Sequence, residues 1–146
     1  AVGLVDTTAP QAMLQNVSRE ELLEDFIVPS VIPGVYVMPA SIDDAFIASN
    51  WDTLCEEHLL GQNKHAILRE NIIDKLKHDF DFILIDTGPH LDAFLKNAIA
   101  AADIMFTPVP PAQVDFHSTL KYLARLPELV QIIEQDGCSC RLQANI

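Results

Sequence analysis

Residues Phe82 to Ile85 read Phe-Ile-Leu-Ile and end in a single acid, Asp86; Thr87, Gly88 and Pro89 follow directly. No polar residue alternates into the run. A strand with one wet face alternates, whereas a continuous apolar run suits a strand covered on both faces, as in a parallel sheet. An acid at the carboxyl end of such a strand lies where open α/β sheets bind their ligands. A competing reading makes Asp86 the cap of the helix that follows.

The chain around this run alternates. Ala66 to His78 has the spacing of an amphipathic helix, with Leu68, Ile72, Ile73 and Leu76 on one side. After the apolar run, Asp92 to Ala102 is rich in Ala and Leu and reads as helix. Ile104 to Thr107 reads as a strand closed by Pro108, Pro110 and Pro111. Asp115 or Ser118 then starts a helix, with an interruption or kink expected at Pro127. Gly137 ends its continuation, and Arg141 to Ile146 begins a further strand. Helix and strand in alternation point to an α/β fold with a parallel sheet and right-handed crossovers.

The first third is less regular. Ser18 and Glu21 have the spacing of a capping box, and Leu22, Leu23 and Phe26 give the short helix an apolar face. Val35 to Met38 is a short β-rich run. Ser41 and Asp43 or Asp44 can cap a helix in which Phe46 and Trp51 are expected in the core. With no internal repeat and no clear linker, residues 1–146 read as one domain, and both ends read as cut from something longer.

Composition narrows the functional classes. At 49% apolar, a chain of 146 residues can build a core, which argues against wholesale disorder. Residues 1–63 hold one basic residue, Arg19, against ten acids, within a net charge of −12. That half is a poor candidate for phosphate-backbone binding, which depends on clustered Lys and Arg. Lys64, Arg69, Lys75 and Lys77 are interspersed with acids and read as a solvated helix face. Cys55, Cys138 and Cys140 are an odd set without a disulfide framework. Cys138 and Cys140 lack the second pair of ligands that a structural zinc site needs. No apolar run approaches the ~20 residues of a membrane span, and a cytoplasmic location is the default expectation.

Several segments together resemble one family. Val37-Met38-Pro39-Ala40-Ser41-Ile42-Asp43-Asp44, Asp81 to Leu91, Ala101 to Pro111, and Asp115 to Tyr122 follow, in order, the pattern of the ParA-type partition ATPases. The resemblance is nearest to the plasmid and prophage branch that includes SopA, and covers the chain from about Ala9 onward. It implies an incomplete P-loop NTPase-like, Rossmann-like three-layer domain, with Phe82–Asp86 as the Walker B strand. It implies ATP or ADP and Mg²⁺ as cofactors, with Asp86 as the catalytic acid that orients Mg²⁺, through water. Thr87, Gly88 and Pro89 match the switch turn, where the Gly88 N–H could approach a γ-phosphate. Asn145 matches a position that can contact adenine, or is simply a polar residue at a strand end. The family implies a homodimer when ATP is bound, a centromere-binding ParB/SopB-type partner, nonspecific DNA binding through regions largely outside this chain, and residence in the bacterial cytoplasm on the nucleoid.

The departures from the family pattern matter equally. The glycine-rich loop Lys-Gly-Gly-x-x-Lys-[Ser/Thr] is absent, since the chain has neither a Gly-Gly nor a Gly-Lys pair. That loop supplies amides and lysines to the phosphates. The expectation is therefore a partial ATPase domain that alone hydrolyses no ATP and binds DNA weakly. The alternative is a non-enzymatic interaction or dimerisation module derived from such an ATPase. His117 beside Asp115 has no nucleophile to complete a triad, and reads as a first-turn residue next to a helix cap. His90 adjoins the switch turn without an assigned role.

Overall fold

Thr8 starts the first helix of the structure, a computed structural model that describes residues 7–109 and 111–142. Its hydroxyl accepts the Gln11 N–H at 3.4 Å, and Pro10 in the first turn lacks the N–H that would go unpaired there. Helix α1 (Ala9–Gln15) ends at Asn16, whose φ of 47° is left-handed. Lys75 closes that end by donating to Asn16 Oδ1 at 2.7 Å and to the Val17 carbonyl. Ser18 Oγ then accepts the Glu21 N–H at 3.2 Å, forming the cap that the spacing predicts. Helix α2 (Arg19–Glu21) widens into a π-helical segment, Leu22–Phe26. The Arg19 guanidinium pairs with Asp79, bringing this helix start against the residues that lead into the apolar run.

A small hairpin follows. Strand β1 (Val28–Pro29) pairs antiparallel with β2 (Tyr36–Val37), with Val28 opposite Val37 and Pro29 opposite Tyr36. Gly34 adopts φ 79° in the loop, a conformation costly for other residues. Helices α3 (Asp44–Ser49) and α4 (Trp51–His58) come next. A second π-helical segment, Arg69–Ile73, leads into α5 (Asp74–Leu76). The remaining helices are α6 (Ala93–Ala101) and α7 (Gln113–Gln135).

Two apolar clusters hold these elements. In the first, Leu22, Phe26, Trp51, Ile67 and Ile72 gather α1 to α5. In the second, Leu95, Ile99, Leu129, Ile133 and Cys138 join α6 to the distal half of α7. Leu22, Ile67 and Ile133 are fully buried, and each such side chain contributes roughly 1.5–3 kcal/mol by leaving water. Most polar atoms inside are paired, His65 Nδ1 being the exception among the described residues. The Lys64 carbonyl accepts both Trp51 Nε1 at 2.8 Å and Asn97 Nδ2 at 2.9 Å, and Asn97 Oδ1 accepts the Leu68 N–H at 3.1 Å. Buried Asn97 thus ties α6 to the turn before residue 67 and to α4.

The expected parallel sheet is not formed among the described residues, and several other expectations are corrected. The described residues form one two-stranded antiparallel sheet, and neither 82–85 nor 104–107 enters a ladder. Phe82 and Leu84 are 87% and 90% exposed, so the run is not covered on both faces. Strand pairing needs backbone partners and cover on each face; Ile83 and Ile85, each 37% exposed, have partial cover on one face, and the other face has none. The helix expected to carry both Phe46 and Trp51 is split at Asn50; Trp51 is core, but Phe46 points outward, 70% exposed. Helix α7 begins at Gln113, so Asp115 lies inside its first turn rather than at the cap. It runs unbroken through Pro127, because Leu126, Leu129, Val130 and Ile133 pack on both sides of the proline. Arg69 and Lys75 turn inward to carbonyl oxygens instead of lying on a solvated face. Residues 141 and 142 are not in a strand, and the rest of that expected strand lies outside the described residues.

Candidate functional site

Asp86, Thr87, Gly88 and Pro89 are consecutive in an exposed segment between the apolar run and α6. The cap of α6 is Asp92, whose carboxylate accepts the Leu95 N–H at 3.1 Å. The competing role for Asp86 is therefore filled by another acid six residues on. Among the described residues the Asp86 carboxylate has no hydrogen-bond or ion-pair partner. It is an exposed, hard oxygen donor of the kind that Mg²⁺ accepts while keeping several of its own waters.

Gly88 gives a second observation. A Cβ built there would meet no atom within 4 Å, and its backbone is not in the left-handed region. Neither local crowding nor a turn conformation requires glycine at this position. A glycine that its own fold does not need leaves the backbone open to close approach from outside. Both observations fit a phosphate and its cation. The described residues, however, provide no cluster of three or more His, Cys, Asp or Glu side chains able to hold a metal. Asp86 alone could offer at most one protein ligand, an arrangement that would suit a cation held mainly by water and phosphate.

Pro89 and Leu91 form one wall of a cleft of about 490 Å³, and Lys121, Tyr122 and Arg125 of α7 form another. Burial raises the Tyr122 phenol above its ordinary pKa. Arg125 pairs with Glu128 at 3.2 Å. A larger cavity of about 560 Å³, lined by Asp52, Cys55, Gln62, Asn63, Lys64 and Asp136, contains none of the predicted site residues. Burial pushes the Cys55 thiol there up to about 11, which makes it a poor nucleophile at neutral pH. Thus the structure brings Pro89 against α7 and keeps Asp86 to Gly88 exposed beside it. His90 and His117 are also exposed, and Asn145 lies outside the described residues.

Sequence reasoning missed His65. Its ring is 3% exposed, and Nε2 lies 2.8 Å from Asp136 Oδ2. The hydrogen bond from His65 holds the Asp136 carboxyl below the usual range. The partners stand 71 residues apart, so no local pattern could have paired them.

Comparison with known proteins places these features. A family profile described as AAA domain matches residues 1–137. Over all 146 residues the chain is 73% identical to Plasmid partition protein A of Escherichia coli, of which it spans 37%. It is 29% identical over 111 residues to Protein SopA of Escherichia coli (strain K12), spanning 28% of that protein. A solved structure titled Partition Protein superposes with a TM-score of 0.92 at 60% identity, over 94% of this chain and 40% of that one. The chain shares that protein's fold over the matched residues, although it spans well under half of each of these relatives. The chain belongs to the AAA domain family and, within it, to the ParA-type partition proteins.

Proposed function

We propose that the polypeptide carrying this chain is an ATP-dependent DNA-partition ATPase, and that residues 82–91 are part of its nucleotide site. The observation that carries this reading is an exposed Asp86 without a structural task, its capping role having passed to Asp92, in a chain 73% identical to a plasmid partition protein. In this reading Phe82–Ile85 and Ile104–Thr107 are strands of a parallel sheet in a P-loop, three-layer domain. Their uncovered side chains, with Phe106 82% exposed, support it. The glycine-rich phosphate loop comes from elsewhere in the polypeptide.

The chemistry that Mg²⁺ would supply here is neutralisation of the charge that develops on phosphoryl transfer. Asp86 would orient the water shell of that cation through its carboxylate oxygens. The Gly88 N–H would donate toward the γ-phosphate, and its missing side chain permits the approach. Thr87 and Pro89 shape the turn, which orders when that phosphate is present and relaxes when it leaves. Phosphoryl transfer depends on positioned donors and cations, so the 146-residue chain without the loop is inactive by itself.

The same reading extends to partners: a homodimer in the ATP-bound form, a ParB/SopB-type protein on a centromere site, and nonspecific DNA contacted mostly outside these residues. The setting is the cytoplasm, on the nucleoid. No helix among the described residues is long and apolar enough to cross a membrane.

Asp86→Ala in the full-length polypeptide tests the core of the reading. Mg²⁺-dependent hydrolysis should fall to background while circular dichroism and the melting curve stay unchanged. Near-normal turnover in that variant would remove Asp86 from the mechanism.

A further inference from the structure

Helix α7 stops before Gly137, whose φ is 87°, and the chain then runs along the second apolar cluster. Burial alternates there: Cys138 is buried, Ser139 exposed, Cys140 half-buried, Arg141 exposed and Leu142 half-buried. That is the period of an extended chain, in which residues i and i+2 share a face. Cys138 and Cys140 therefore present their thiols to one side, and Cys140 packs on the cluster that Cys138 forms with Leu95, Leu129 and Ile133. Both thiols are free. Two residues of extended chain span about 6.6 Å, inside the ~4.4–6.8 Å that separates the Cα atoms of bridged cysteines. Arg69 lies against this stretch. Its Nη2 donates to Cys138 Sγ at 3.5 Å, and its Nη1 to the Ser139 carbonyl at 2.8 Å and the Ala100 carbonyl at 3.1 Å.

The two thiols differ in access. Cys138 is 3% exposed and out of reach of a dissolved oxidant, whereas half-buried Cys140 can meet one. Oxidation-sensitive cysteines stand in partly exposed surroundings near a cation, often beside a second thiol that resolves them. We propose that Cys138 and Cys140 form a reversible dithiol–disulfide site, in which Cys140 meets a hydroperoxide and Cys138 resolves it. In the first step the Cys140 sulfur attacks one peroxide oxygen. The O–O bond breaks, the sulfur becomes a sulfenic acid, and the other oxygen leaves as water or alcohol with the thiol proton. In the second step Cys138 Sγ attacks Cys140 Sγ, the S–O bond breaks, and water leaves with the Cys138 proton. The thiols together lose two electrons, and one hydroperoxide gains them. Burial raises the Cys140 thiol, with Cys138 and Glu134 adding to the rise and Arg69 opposing it, so the first step is slow at neutral pH. Closing the ring turns Cys138 Sγ toward Cys140 and off Arg69 Nη2, and the guanidinium keeps its two carbonyls.

The test is peptide mapping by mass spectrometry, after the full-length polypeptide has been treated with hydrogen peroxide in native buffer, denatured and alkylated. Trypsin cuts after Arg125 and Arg141 and releases residues 126–141, a peptide that holds Cys138 and Cys140 but not Cys55. The expected product is this peptide lighter by two hydrogens and closed to alkylation at both sulfurs, while Cys55 still alkylates. Dithiothreitol should restore both sites. In Cys140→Ser, a change of one atom at a half-buried position, Cys138 should stay reduced through the same treatment. The wild-type result stands without that variant if it fails to fold. The inference is overturned if the pair stays reduced until Cys55 is oxidised as well. It is equally overturned if Cys140 passes to sulfinic acid while Cys138 still alkylates, or if the bridge joins two copies of the peptide. Oxidation of Cys138 at an undiminished rate in Cys140→Ser would remove Cys140 as the point of entry and refute the assignment.

Discussion

Residues 93–101 and residues 82–85 are both strongly apolar, yet one buries its side chains and the other does not. Helix α6 satisfies its backbone internally, takes a cap from Asp92, and needs only one neighbour for its apolar face. The run before Asp86 must find partners for its backbone at both edges and cover for both faces. Neighbouring helices supply the first requirement within this chain. In the parallel-sheet reading proposed above, the second would call on residues outside this chain, which spans 37% or less of those relatives. A helix is therefore a local product of sequence, and a buried parallel strand is a contract with distant segments.

The sharpest way to break that contrast is a pair of matched truncations. Ile133→Ala removes a fully buried side chain and should destabilise the chain by about 2–5 kcal/mol in chemical denaturation. Leu84→Ala, at a site 90% exposed, should change stability by no more than about 0.5 kcal/mol. In the full-length polypeptide the Leu84 effect should rise to the size of a core truncation. If it stays near zero there, the parallel-sheet reading is lost. A smaller effect tests the polar hub of the helical body. Asn97→Ala leaves the Leu68 N–H without its acceptor, and the Lys64 carbonyl without one of its donors. The expected cost is about 1–3 kcal/mol, read from the urea midpoint. A neutral result would show that water replaces Asn97 at no cost.

The smallest effect is a pH dependence at the exit of α7. Because His65 holds the Asp136 carboxyl below its ordinary value, their link adds stability above the usual carboxylate range near 3.9. That contribution disappears as pH falls through the lowered value. Asp136→Asn should flatten this part of the melting-temperature profile below about pH 4. An unchanged acid limb would mean that the pair adds nothing in solution.

What the sequence disclosed follows from the same distinction. The Ser18 cap, the stop at Gly137 and the existence of α6 and α7 rest on neighbours in the chain, and they were legible. Helix α1 carries an equally local signal, Thr8 with Pro10 in the first turn, which the reading of patterns passed over. The split at Asn50 that turns Phe46 outward leaves no mark in apolar spacing, because both halves keep a helical period. The inward turn of Arg69 depends on carbonyls 31 and 70 residues away, and charge patterning could not anticipate it. Of the candidate site, the chemical identity of residues 86–89 was legible. That Asp86 has no capping duty emerged only with the Asp92 cap in view.

The exposure of Phe82, Leu84 and Phe106 also bears on how this polypeptide behaves in a test tube. Short apolar stretches with free backbone edges are templates for self-association, and native proteins protect them with charge or cover. Here the protection is diffuse: a net charge of −12 keeps copies apart. Such repulsion reaches only about 8 Å at physiological ionic strength and about 3 Å at 1 M salt. Colloidal stability of the isolated chain is thus an electrostatic property, strongest in dilute buffer near neutral pH. It should weaken on salting or acidification.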